Sequence, residues 1–83
     1  MKLVYFAWVR ERVGHPEEVV DLPPEVLTVA DLVEWLRARG ENYVYAFENP
    51  AIVRAALDRV HVKPNASLEG VKEAAFFPPM TGG

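Results

Sequence analysis

One stretch of this sequence carries a sustained helical period, and the rest of the chain has to be arranged around it. Val29, Leu32, Val33 and Leu36 recur at i, i+3, i+4 and i+7, which gathers them on one apolar stripe. Thr28 precedes the stripe as an N-cap, and Asp31 follows three residues on in the manner of a capping box, where its charge also suits the positive end of the helix dipole. Arg37 and Arg39 suit the opposite end, and Gly40 is the expected residue just past the last turn. The spacing predicts a helix over residues 28–39, with Trp35 at the edge of the core. A helix with one apolar face must lie on something, and the flanking segments read as short strands.

Residues 2–9 form a valine- and aromatic-rich run without alternation, which reads as a strand buried on both faces. Arg10 to Gly14 break that pattern, and Gly14 with Pro16 marks a turn. Residues 17–22 are short and β-branched and are expected to return antiparallel as a hairpin, stopped by Pro23 and Pro24. Residues 43–47 are too short to type. From Asn49 the signals conflict. Asn49-Pro50 resembles an N-cap followed by proline at the first helical position, with helical spacing through Ile52, Val53, Ala56 and Leu57. Yet residues 53–62 also divide into two short strands around Asp58-Arg59, and periodicity does not choose between them. Residues 63–67 form a loop, and Ala74-Ala75-Phe76-Phe77 is a final apolar strand ended by Pro78-Pro79. A hairpin, a crossing helix and a last strand beside the first make a small mixed sheet, with the chain's end expected at the edge of that sheet.

Size and composition narrow the chemistry. Eighty-three residues make one domain, and a 51% hydrophobic content gives it a core and excludes wholesale disorder. There is no cysteine, which removes disulfides, thiolate zinc sites and thiol nucleophiles together. A net charge of −3 argues against nucleic acid, whose phosphates need a basic face. The apolar start is too short for a membrane span and has no signal-cleavage pattern, so a cytoplasmic protein is expected. His15 and His61 stand apart without paired carboxylates and predict no metal site. No glycine-rich phosphate loop and no Ser-His-Asp arrangement is present, so the chain is expected to bind no cofactor itself.

The end of the sequence is the most informative segment. Phe76-Phe77-Pro78-Pro79-Met80-Thr81-Gly82-Gly83 takes a strand into two prolines and then two glycines. The prolines favour extended backbone and are expected to project the tail from the sheet, and six residues reach roughly 20 Å. Gly82 and Gly83 carry no side chain and fit a passage that admits little more than backbone. The α-carboxylate of Gly83 would sit at the tip. Phe76 and Phe77 point to opposite faces of a regular strand, so either one sits in the core and the other is a docking anchor, or both are buried. Which is which stays open at this level. Arg10, Arg12 and Arg59 are cations available to an acidic partner.

This ending resembles that of the ubiquitin-like, β-grasp sulfur carriers, and within them the small subunits of molybdopterin synthase (MoaD). In that family an apolar strand runs into Phe-Pro-Pro, a variable residue, Ser or Thr, and Gly-Gly. Val4 to Val9, then Arg10-Glu11 and Gly14, resemble the family's opening. The match spans nearly the whole chain, but only the tail is specific. The sequence departs from the family at residues 69–73, where glycine falls one position early, and at Asp58, where the family usually has asparagine. The resemblance implies an α+β, β-grasp fold: a small mixed sheet with one main helix across it, a domain over residues 1–77 and a tail over residues 78–83. It also implies strands rather than a helix across residues 53–62.

The resemblance further implies a mechanism. An activating enzyme of the ubiquitin-activating type uses ATP to adenylate the Gly83 carboxylate, and a sulfur donor protein converts it to a thiocarboxylate. The loaded tail enters the large subunit of molybdopterin synthase, in an expected heterotetramer of two small and two large subunits, and sulfur passes to cyclic pyranopterin monophosphate. Gly83 and Gly82 would carry the chemistry, and Phe76, Phe77, Pro78, Pro79, Met80, Thr81 and Arg10 the docking. A carrier for thiamine thiazole synthesis or tRNA thiolation shares fold and ending. A β-grasp interaction module with an idle tail is the alternative of a different class.

Overall fold

A computed structural model describes residues 1–79; the expectations for Met80, Thr81, Gly82 and Gly83 concern positions outside the described residues. The elements run β1 (Lys2–Tyr5), α1 (Ala7–Val13), β2 (Glu17–Val19), α2 (Val29–Arg37), α3 (Glu41–Ala46), a 3-10 turn (Pro50–Ile52), β3 (Arg54–Leu57), β4 (Val60–Val62) and β5 (Glu73–Phe77). The five strands form one mixed sheet in the order β2-β1-β5-β3-β4. β1 runs antiparallel to β2 and parallel to β5, and β3 runs antiparallel to both β4 and β5. The helices lie on one side of the sheet.

The helix predicted from the stripe is α2. Thr28 Oγ1 accepts from the Asp31 N–H at 3.2 Å, and the Asp31 carboxylate accepts from the Thr28 N–H at 3.1 Å, so the capping box is complete. Val29, Leu32, Val33 and Leu36 are all buried. They meet Leu3, Tyr5, Ala55, Leu57, Ala74 and Phe76 from the sheet in a single core. Trp35 is half-buried against that core, as its place off the stripe predicts.

Three features differ from the sequence reading, and one segment left untyped there takes a definite form. The opening run is not one strand over residues 2–9. It turns at Ala7, whose φ is +52°, and continues as α1, burying Val9 and Val13 at i, i+4 spacing. Arg12 on this helix stacks between the rings of Trp8 and Tyr45, 4.5 and 4.2 Å from their centres. Gly40 does not end α2 in the left-handed region: Ala38 closes that helix, and Gly40, with φ 167°, begins α3 instead. The left-handed glycine that ends a helix is Gly14 (φ +101°), whose N–H returns to the Arg10 carbonyl. Residues 43–47, too short to type from the sequence, bury Tyr43, Ala46 and Phe47 from α3 and its end. Finally, β5 is not an edge strand. It occupies the centre of the sheet, between β1 and β3.

The middle of the chain resolves in favour of strands. Asn49-Pro50 opens only the 3-10 turn, and β3 and β4 follow as a hairpin around Asp58 and Arg59. Both turn residues have positive φ, +47° and +71°, as a two-residue hairpin requires. The Asp58 carboxylate accepts from the N–H groups of Lys72 at 3.1 Å and Glu73 at 3.0 Å, tying the hairpin to the start of β5.

One polar cluster closes the edge of the core. Glu18 on β2 faces inward and accepts from Tyr5 Oη at 2.8 Å, Tyr43 Oη at 2.6 Å and Arg39 Nη1 at 2.9 Å, with His15 Nε2 at 3.2 Å. Burial would raise its carboxyl, but the hydrogen bonds from Tyr43, Arg39, Tyr5 and His15 outweigh that and hold it at about 2, below the ordinary 4.5. Burial and the bond to Glu18 in turn push the Tyr43 hydroxyl up to about 12. Since the folded form has the lower value, the stabilisation is present above pH 4.5 and is lost as pH falls toward 2. Glu18→Gln is expected to cost up to about 3 kcal/mol near neutral pH. Denaturant titrations at a series of pH values should show this gap closing as the solution is acidified.

Candidate docking face and tail root

The alternation of β5 decides the two phenylalanines. Phe76 is 1% exposed, stacked with Tyr5 at 6.3 Å and set edge-on to Phe47 at 5.2 Å. Phe77 therefore faces the other side of the sheet, which no helix among the described residues covers, and is half-buried there. On that open side the register aligns Val4, Ala75, Ala56 and His61 across four strands. The two alanines keep the floor low. The result is a shallow depression of about 370 Å³ lined by Phe6, Ala56, Arg59, His61, Glu73, Ala75 and Phe77. Its aromatic members are on offer to a partner: Phe6 is 49% exposed, and the Phe77 ring leans on His61 at 5.0 Å, tilted by 48°.

Phe77 is thus the predicted anchor, and Phe76 belongs to the core. Pro78 and Pro79 are half-buried, so the first two tail residues rest partly against the body rather than standing clear of it. Arg59 lies in the depression. Arg10 does not: it is exposed on α1, in a separate hollow with Glu11, Gly14, His15 and Pro16. Arg12 is already engaged by Trp8, Tyr45 and Glu48. Phe6 and His61 have no distinguishing signal in the sequence. Phe6 sits inside an apolar run that reads as continuous strand, and His61 joins the face only through the β3–β4 register.

A more enclosed apolar cleft of about 320 Å³ lies between α2 and residues 50–55, with Phe76 among its lining. Among the described residues no three His, Asp or Glu side chains gather to hold a metal, and no helix is long and apolar enough to cross a membrane.

A five-stranded mixed sheet with a principal helix on one side, and a central last strand leading into the tail, defines a ubiquitin-like β-grasp protein. The sequence matches the ThiS family over residues 3–83, and the chain belongs to that family. The molybdopterin synthase sulfur carrier subunit of Escherichia coli (strain K12) is 32% identical, over 100% of this chain and 99% of its own length. A solved structure from Pyrococcus furiosus, "Putative molybdopterin converting factor, subunit 1", superposes with a TM-score of 0.74 at 30% identity, covering 95% of each chain. Small archaeal modifier protein 1 of H. volcanii shares the fold, with a TM-score of 0.72 at 20% identity over 96% of this chain and 97% of its own.

Proposed function

We propose that this chain is the sulfur-carrier subunit of a molybdopterin synthase. The observation that carries the reading is the joining, on one central strand, of an outward Phe77 anchor to the sequence Pro78-Pro79-Met80-Thr81-Gly82-Gly83. Full-length similarity to subunits that bear this name supports it.

In this reading the α-carboxylate of Gly83 attacks the α-phosphorus of ATP on an activating enzyme, releasing pyrophosphate and forming an acyl adenylate. A sulfur donor protein then displaces AMP and leaves a thiocarboxylate. The thiocarboxylate is the sulfur nucleophile, so the absence of cysteine is no handicap. The activating enzyme supplies the ATP site. The chain itself contributes a stable body, a docking face and a narrow backbone arm. The large synthase subunit receives that arm, with Phe77 and Phe6 meeting it on the open side of the sheet. Arg10, outside that depression, contributes at most at its margin. Two loaded carriers serve the two sulfurs of the dithiolene, which fits an assembly of two small and two large subunits in the cytoplasm.

Intact-mass spectrometry tests the central step. The chain is incubated with an activating enzyme, ATP and a sulfur source, and one oxygen should be replaced by sulfur at the terminus. An unchanged mass with activating enzymes of the molybdopterin, thiamine and tRNA-thiolation pathways alike would leave an interaction module with an idle tail. Loading by one of the latter two alone would assign the carrier to that pathway.

A further inference from the structure

The open side of the sheet carries two arginines that, among the described residues, belong to no ion pair, beside the aromatic residues of the depression. If this side is the docking face, as the proposed function requires, the charge constrains the chemistry of the partner that covers it. Arg54 is the direct cross-strand neighbour of Phe77, and such pairs share a face. Arg59 occupies the β3–β4 turn and lines the depression beside His61. Neither arginine belongs to an ion pair among the described residues. His61 stands between them in the register, diagonal to Arg54 and leaning on the ring of Phe77. The one carboxylate in the depression is that of Glu73, at the far end of β5 from Phe77. Thus Arg59 and His61 line the depression, and Arg54 shares its face by register with the anchor, in a chain whose net charge is −3.

Covering this face with a purely apolar surface would strand the imidazole and desolvate both arginines without partners, which is costly. We propose that the protein docking here seats a carboxylate at His61, between Arg54 and Arg59, within apolar contact to Phe6 and Phe77. A carboxylate accepts from the imidazole and neutralises the arginines in one step. The charged groups facing His61 are Arg54 from β3, Arg59 from the turn and Glu73 from β5; Ala75, Phe77 and Phe6 add no charge. A carboxylate seated against the imidazole favours its protonated form, so docking takes up a proton and tightens as pH falls through the histidine range.

The test is calorimetric titration of the intact chain into the cognate large synthase subunit, at constant ionic strength, between about pH 8 and about pH 6. Affinity should rise about five- to tenfold on acidification, with proton uptake seen as a heat that depends on the buffer. His61→Leu should remove the pH slope and leave thermal stability intact, since this residue is exposed. Arg59→Gly should weaken binding at both ends of the range; glycine suits the positive φ there, so the hairpin survives. A flat or opposite slope in the parent chain, or an unchanged slope in His61→Leu, overturns the proposal. Failure of any complex to form overturns the docking reading with it, and intact-mass loading of Gly83 then shows whether the carrier role itself stands.

Discussion

Replacing Phe76 with alanine is expected to cost about 3–5 kcal/mol, the range for emptying a fully buried aromatic site. The ring is enclosed by Tyr5 and Phe47, and the pocket has little room to collapse because the neighbours on adjoining strands are fixed by the ladder. A domain of this size holds about 4–12 kcal/mol in all, so the variant should lose a large share of its stability. Phe76→Leu keeps most of the volume and gives a measurable intermediate. Phe77→Ala, one residue on, should behave differently. Its ring is on the uncovered side, so urea denaturation should show a loss of about 1 kcal/mol. Binding to the large subunit should fall by about 2 kcal/mol or more, the behaviour of an interface anchor. Unchanged affinity for the large subunit in Phe77→Ala would show that the open side is not the docking face.

Deleting Gly82 and Gly83 is expected to abolish sulfur loading outright while leaving the thermal transition where it is. Among the described residues no member of the core lies beyond Phe76, and the sheet ends at Phe77. Gly83→Ala is a gentler form of the same experiment. It keeps a carboxylate but adds a Cβ at the tip, and adenylation or transfer should fall sharply with folding intact. Normal product formation by Gly83→Ala would contradict the proposed function. Loss of folding in the deletion would show that the tail has a structural task.

Local signals in the sequence are legible where they are self-contained. The Thr28–Asp31 box and the stripe behind it specify α2 without help from the rest of the chain. The antiparallel pairing of β1 with β2 is likewise legible, though the strands are shorter than the apolar residues suggest and are joined through α1 rather than by a tight turn. The differences share a cause. Alanine carries no sequence mark for a left-handed conformation, so the turn at Ala7 that converts the opening run into α1 is invisible. The β3–β4 hairpin lacks an Asn-Gly pair, and only family resemblance separates it from a helix. Alternation puts Phe76 and Phe77 on opposite faces, but choosing between them needs the strands on either side. The same holds for His61, which joins Phe77 through the pairing of β3 with both β4 and β5. Lateral strand order is not written along the chain, which is why the sequence points to an edge for a last strand that lies at the centre.

The central place of β5 has a mechanical consequence. A peptide arm that is drawn into one enzyme, released, and drawn into another transmits a pull to whatever anchors it. An arm rooted on an edge strand could be peeled off, one hydrogen bond at a time, like a zip. Here the root lies between a parallel and an antiparallel neighbour, so tension along the arm loads both ladders in shear, with many bonds sharing the force at once. In the proposed carrier role, that arrangement lets the body resist a pull on its tail better than an edge strand would.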